Sequence, residues 1–246
     1  MRSVFFCTSY IADADAWNTR YKPWLDFHQK FDLGDTRLVM IDDASPFCPP
    51  ATEVAIIGQG QSLPEGLPAI IRFPDRLGRS SLLSYPGWWR SFLHSIDVAR
   101  SIGARKIIHV ESDAFIISDR MRNYINDLSE GWTTFWAASY NFPETAIQVI
   151  CEDQFDAMVS FKDKTPESLE GKFAEELLPF THINRDMIGD RYSEFRVPLL
   201  RTGLLRSRKF NRLKFFQGNQ FRARIPDNAD FATQVTFDQR IPQVGR

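Results

Sequence analysis

The stretch KIIHVESDAFII, Lys106 to Ile117, opens as a buried apolar run and carries two carboxylates, Glu111 and Asp113, two positions apart near its middle. In an extended chain successive side chains alternate faces, so residues two apart point the same way. If the run is a strand end, both acids converge on one spot. Oxygen-rich sites of this kind suit hard cations such as Mg²⁺ or Mn²⁺, and Mg²⁺ takes only one or two carboxylates plus the phosphates of a bound substrate. Zinc suits the chain less. No Cys/His cluster stands at ligand spacing, although His109 falls on the same face as Glu111.

The elements that must position this pair repeat a strand-then-helix rhythm. SVFFCTSYI (Ser3 to Ile11) is β-branched and aromatic, and the following DADAWNTRYKPWLDFHQKF carries spaced apolar residues Trp17, Tyr21, Trp24, Leu25 and Phe27 in a helical pattern. A second apolar run, Leu38 to Ile41, stops at Asp42 and Asp43. A third, PAIIRFPDRLGRSS, stops at Pro, Asp and Gly. GWWRSFLHSIDVARSIG then spaces Trp88, Trp89, Phe92, Leu93, Ile96, Val98 and Ala99 as a helix that Gly103 ends, and KIIHV is the fourth strand. Such alternation predicts an α/β fold. Its mostly parallel sheet is flanked by helices, and a less regular, partly helical C-terminal part follows.

Ligands of open α/β sheets bind beyond the carboxyl ends of the strands. Here each expected strand ends in polar residues: Thr8 and Ser9; Asp42 and Asp43; Arg72, Asp75 and Arg76; Glu111 and Asp113. Together they predict one polar rim.

Composition narrows the classes. The chain has 246 residues, 43% hydrophobic and 25% charged, with a net charge of −1, which fits one globular domain over 1–246 and names no partner by bulk charge. No apolar stretch reaches the eighteen or so residues of a spanning helix, and the N-terminus lacks the basic and long apolar regions of a secretory signal. Three widely spaced cysteines, Cys7, Cys48 and Cys151, imply a reduced, cytoplasmic setting. Neither a P-loop nor a GxGxxG fingerprint is present. One charged feature stands out. Between 201 and 224 lie Arg201, Arg206, Arg208, Lys209, Arg212, Lys214, Arg222 and Arg224 with no acid among them, interleaved with Leu204, Leu205, Phe210, Leu213, Phe215 and Phe216. This segment suits anionic lipid at the inner face of a membrane or a phosphorylated acceptor, with RNA as the other use of basic residues among aromatics.

HVESDAFI resembles the short acidic "DxD" motif of GT-A glycosyltransferases in a variant form, with Glu111, Ser112 and Asp113 in its three places. SVFFCTSYI and LVMIDDASP look like that family's first two strands, and the helix, Gly and strand before the motif are laid out similarly, so the resemblance covers Ser3 to Ile117. It implies a Rossmann-like, nucleotide-sugar-binding half over 1–117, an acceptor-side half over 118–246, a nucleotide-sugar donor, a saccharide or lipid-linked acceptor such as a surface polysaccharide, and Mn²⁺ or Mg²⁺. Within it Asp113 binds the metal, and Glu111 is a second ligand or touches the ribose. Asp42 or Asp43 accepts hydrogen bonds from base or ribose, and Arg72, Arg76 or Arg79 reaches the phosphates. An inverting enzyme also needs a carboxylate base. Glu152 or Asp153, at the start of the helix CEDQFDAM, and Glu144, just before the strand AIQVI, are the candidates. The competing expectations are a nucleotidyltransferase on a similar sheet and a non-catalytic RNA- or membrane-binding protein that uses 201–224.

Overall fold

Parallel strands covered on both faces read as near-continuous apolar runs, and five such strands build the first half of the chain. In the computed structural model, which describes residues 1–30, 34–164, 166–192, 224–235 and 241–242, these are β1 (Ser3–Ser9), β2 (Thr36–Asp42), β3 (Ala55–Gly58), β4 (Ala69–Arg72) and β5 (Lys106–Val110). They lie parallel in the order β3-β4-β2-β1-β5. The sheet is therefore mostly parallel as expected. The short β3 at its edge is an addition, and KIIHV is the fifth strand rather than the fourth.

Helices cover both faces, and strand alternation decides what each face receives. Phe5 and Cys7 of β1 pack with Trp17, Trp24 and Leu25 on one side, whereas Val4 and Phe6 pack with Trp89, Phe92 and Ile96 on the other. The first side is covered by a helical stretch made of α1 (Ala14–Ala16), a π-helical turn at Trp17–Tyr21 and α2 (Lys22–His28). The second is covered by α3 (Pro86–Ser101), which opens with Pro in its first turn, where no amide hydrogen is needed. Gly103, at φ 64°, ends it in the left-handed region.

The second half departs from parallel pairing. After the short β6 (Phe115–Ile116), Ser118 caps α4 (Asp119–Asp127) by accepting from the Met121 amide at 3.1 Å. β7 (Trp132–Ala137) and β8 (Phe142–Cys151) then extend the main sheet, β8 antiparallel to both β5 and β7. A 3-10 turn and α5 (Phe155–Lys162) follow, then α6 (Ala174–Leu177), and β9 (His182–Asn184) closes an eight-stranded sheet. β10 (Gly189–Arg191) and β11 (Phe231–Thr233) join β6 in a small second sheet. The main sheet crosses position 117 by pairing β5 with β8.

The direction of β8 corrects one expectation. Val110 pairs with Ile147 and Lys106 with Cys151, so the start of β8 reaches the sheet edge where β5 ends, and the end of β8 lies at the opposite edge. Glu144 is thereby carried to the polar rim. Glu152 and Asp153 are carried away from it: Glu152 pairs with Arg105 at 2.6 Å and Asp153 accepts from the Gly131 amide at 2.9 Å. The basic segment lies outside the described residues except for its last residue, Arg224, which is exposed. No helix among the described residues is long and apolar enough to cross a membrane.

Candidate active site

After β1 the chain moves to β2 on one side, and α3 returns it to β5 on the other, so the crevice between the ends of β1 and β5 is the switch point where α/β sheets bind ligands. A cleft of about 700 Å³ opens there, lined among others by Thr8, Arg20, Arg76, Glu111, Asp113 and Glu175. Thr8 closes its floor by donating to both oxygens of Glu111, at 3.0 and 3.2 Å.

The two motif acids meet for a reason other than strand alternation. The Glu111 amide donates to the Ala146 carbonyl at 2.8 Å, one step past the β5 ladder, and the chain then turns, with the Ala114 amide donating to the Glu111 carbonyl at 2.8 Å. A tight turn, not an extended strand, presents Glu111 and Asp113 to one cleft. The Val235 amide donates to the Asp113 carbonyl at 2.8 Å and ties the turn to the C-terminal part.

The two carboxylates differ in surroundings. Glu111 accepts from Trp88 Nε1 as well as from Thr8, and His109 Nε2 stands 3.2 Å from its Oε1 without an aligned hydrogen bond. Burial alone would raise its affinity for a proton, but His109, the Trp88 indole and Arg20 hold it below the ordinary carboxylate range. For Asp113 burial prevails: its pKa lies above the usual value, against the pull of Arg20 and with a further push from Glu111 and Glu144. Arg20 Nη2 meets Asp113 Oδ2 at 3.1 Å while its Nε donates to Ser112 Oγ at 2.7 Å. Arg20 comes from the π turn, a wide turn of the kind that recurs at functional sites.

The residues present fit a hard cation held by one carboxylate. Asp113 faces the cleft with its side chain 29% exposed, and Arg20 is the side chain paired with it among the described residues. Glu111 already accepts from Thr8 and Trp88, and of the two acids Asp113 is the one with the more open side chain. No group of three or more His, Cys, Asp or Glu is placed to hold a metal among the described residues. Substrate phosphates and water would complete the shell of a cation such as Mg²⁺.

At the end of β2 two neighbouring acids separate. Asp42 is fully buried and filled by Ser9 Oγ at 3.1 Å, the Ser45 amide at 2.8 Å and Arg72 Nε at 3.1 Å. Arg72 also donates to the Phe47 carbonyl at 2.8 Å. Asp42 and Arg72 therefore brace the strand ends and do not face the cleft, which removes both from the expected nucleotide contacts. Asp43 lines the cleft and organises a loop, accepting from the Leu77 and Gly78 amides at 3.2 and 2.7 Å and from the Arg90 guanidinium. That loop delivers Arg76, whose guanidinium lies 3.7 Å from the centre of the Tyr10 ring, and Arg79, whose head is occupied by the Ser81 and Leu82 carbonyls at 2.8 and 2.7 Å.

Gly87 makes this packing possible, because a Cβ there would overlap the Asp43 carboxylate and the Gly78 backbone nitrogen. Gly87→Ala is expected to cost about 1–3 kcal/mol in urea denaturation, the usual range for overpacking, and to loosen the loop that carries Arg76.

On the far wall, Glu144 is buried and accepts from Arg191, from Thr233 Oγ1 at 3.1 Å and from the Ala146 amide at 2.9 Å. The same guanidinium reaches Glu175 Oε1 at 3.0 Å, and Thr145 Oγ1 donates to that oxygen at 3.1 Å. Burial pushes the Glu175 pKa up, with Arg191 opposing. Arg20 and Glu175 escaped the sequence reading because neither stands in a motif. A second cavity of about 410 Å³ lies between α3 and α5, lined by Tyr85, Trp89 and Phe161 among others, and Tyr85 separates it from the cleft by lining both.

No protein-family model matches the chain, and no curated protein does. Among the solved structures with a distant likeness are two glycosyltransferases. One is a glycosyltransferase involved in the glycosylation of the major capsid of PBCV-1, with 7% identity over 96% of this chain and 95% of that one, at a TM-score of 0.43. The other is the mannosyltransferase PcManGT from Pyrobaculum calidifontis in complex with GDP-Man and Mn²⁺, with 11% identity over 64% of this chain and 46% of that one, at a TM-score of 0.37. The cleft, rather than likeness this distant, carries the functional reading.

Proposed function

We propose that the protein is a GT-A-like glycosyltransferase that moves a sugar from a nucleotide-sugar to a saccharide or lipid-linked acceptor with a divalent cation. The observation that supports it is the cleft at the β1–β5 switch point, where Asp113 and Arg20 stand beside the ionised Glu111. Transfer breaks the bond between the anomeric carbon and the diphosphate oxygen, so negative charge builds on the leaving phosphates and must be met by fixed positive charge. Arg20 and Arg76 supply that charge from the protein, and Mn²⁺ or Mg²⁺ at Asp113 would neutralise more of it. Glu111, held by Thr8 and Trp88, keeps the floor of the donor site rigid and negative. Thr8, Ser9 and Asp43 line the same cleft, and in this reading they receive the nucleoside.

On the acceptor side Arg191, Thr233 and the Ala146 amide occupy both oxygens of Glu144, whereas Arg191 and Thr145 meet Glu175 on Oε1, so Glu175 Oε2 is the carboxylate oxygen able to receive the acceptor hydroxyl's proton in an inverting reaction. Its raised proton affinity suits a general base. The test is a thermal-shift series of UDP- and GDP-sugars with and without Mn²⁺. One nucleotide is expected to raise Tm in a concentration-dependent, Mn²⁺-dependent way, because a ligand that binds only the native state stabilises it. Pyrophosphate release from a nucleoside triphosphate would favour a nucleotidyltransferase instead. No nucleotide-linked shift would remove both readings.

A further inference from the structure

We infer that Arg20 and the divalent cation compete for Asp113, and that the donor diphosphate resolves the competition by drawing Arg20 onto itself, so that cation and nucleotide bind as one coupled event. The inference rests on the donor-site reading of the cleft. One guanidinium spans two neighbouring residues of the acidic turn, Nε on Ser112 Oγ at 2.7 Å and Nη2 on Asp113 Oδ2 at 3.1 Å. A cation that took Asp113 as ligand would share that carboxylate with a fixed positive charge. Two cations on one carboxylate repel, and in a partly buried cleft solvent screens them less than at an open surface.

Arg20 is built to change partners. Its π turn is anchored by Trp17 and Tyr21, both buried, while the Arg20 side chain is 46% exposed and lines the cleft. A diphosphate placed between Asp113 and Arg76 offers the planar, doubly anchored contact that guanidinium prefers to a single carboxylate oxygen. Once Arg20 turns to the phosphates, Asp113 is free for the cation, and the cation is drawn to the same phosphates. The coupling is reciprocal by thermodynamic necessity: whatever nucleotide does to cation affinity, the cation does to nucleotide affinity.

The test measures Mn²⁺ binding, not turnover. Wild-type protein, Arg20→Gln and Ser112→Ala are titrated with Mn²⁺ and the free ion is followed by its electron paramagnetic resonance signal, first alone and then with saturating UDP or GDP. Without nucleotide, Arg20→Gln is expected to bind Mn²⁺ at least about tenfold more tightly than wild type, roughly 1.4 kcal/mol. Ser112→Ala, which removes only one anchor of the guanidinium, should shift affinity in the same direction by less and keeps the test alive if Arg20→Gln does not fold. With nucleoside diphosphate the gap between variant and wild type should shrink. Equal or weaker Mn²⁺ binding by both variants without nucleotide, alongside normal binding with it, overturns the role of Arg20 and leaves the donor site standing. If no protein binds Mn²⁺ under either condition, the donor-site reading falls and this inference falls with it.

Discussion

Asp113→Asn is expected to reduce sugar transfer on the order of 10³-fold, the scale of losing one preorganised electrostatic contact to a leaving group, while leaving the protein folded. The two effects separate because the carboxylate is strained by its setting. Its folded-state pKa is raised, first by burial and then by Glu111 and Glu144 against Arg20, so the folded chain holds the proton more tightly than the unfolded chain. The stabilisation associated with that proton is complete below the unfolded pKa and disappears as pH rises through the folded one. Asn carries no charge and escapes this loss. In chelator-containing buffer, Asp113→Asn should match wild type in acid and melt at the same or a higher temperature near neutrality, although the partly exposed Arg20 contact makes the gain small. Melting curves across pH, run beside transfer assays, check both parts. A variant that unfolds would place Asp113 among the structural acids, with Asp42.

Arg191→Met carries the largest expected cost in stability. Glu144 has a side chain only 2% exposed and Arg191 one 14% exposed, and the same guanidinium serves Glu175. Removing the arginine leaves a buried carboxylate without its counter-charge, which typically costs about 3–5 kcal/mol. For a domain of this size that corresponds to a fall in Tm of roughly 6–20 °C. Adding Glu144→Gln should recover part of it, because the second substitution removes the uncompensated charge. Urea denaturation of the two single variants and the double variant measures the coupling. Full additivity would mean that the contact contributes little and that the far wall of the cleft is held by other means.

Much of the nucleotide half was legible because parallel strands and their helices announce themselves by apolar runs and period. β1, β2, β4, β5 and α3 all lie where the pattern put them. The short edge strand β3 did not register, having only four residues. The acidic pair was legible as a pair but not as a geometry: alternation along a strand predicted convergence, and a turn at 111–114 produced it. Asp42 and Asp43 show where sequence runs out. They are neighbours with the same side chain at the same strand end, yet Ser9, Ser45 and Arg72 fill one while the other organises a loop at the cleft. Glu152 and Asp153 were misplaced because nothing local reveals whether a strand joins its sheet parallel or antiparallel, and that choice moves a residue from one edge to the other. Arg20 and Glu175 depend on a π turn and on tertiary packing, which leave no periodic trace.

The donor diphosphate is expected at the ends of β1 and β5 with its cation on Asp113. Crystals grown with a nucleoside diphosphate and Mn²⁺, measured for anomalous scattering, test it directly. One manganese peak is expected in contact with the Asp113 carboxylate and with phosphate oxygens that Arg20 also touches. A manganese peak away from Asp113, or a nucleotide seated in the cavity between α3 and α5, would contradict it.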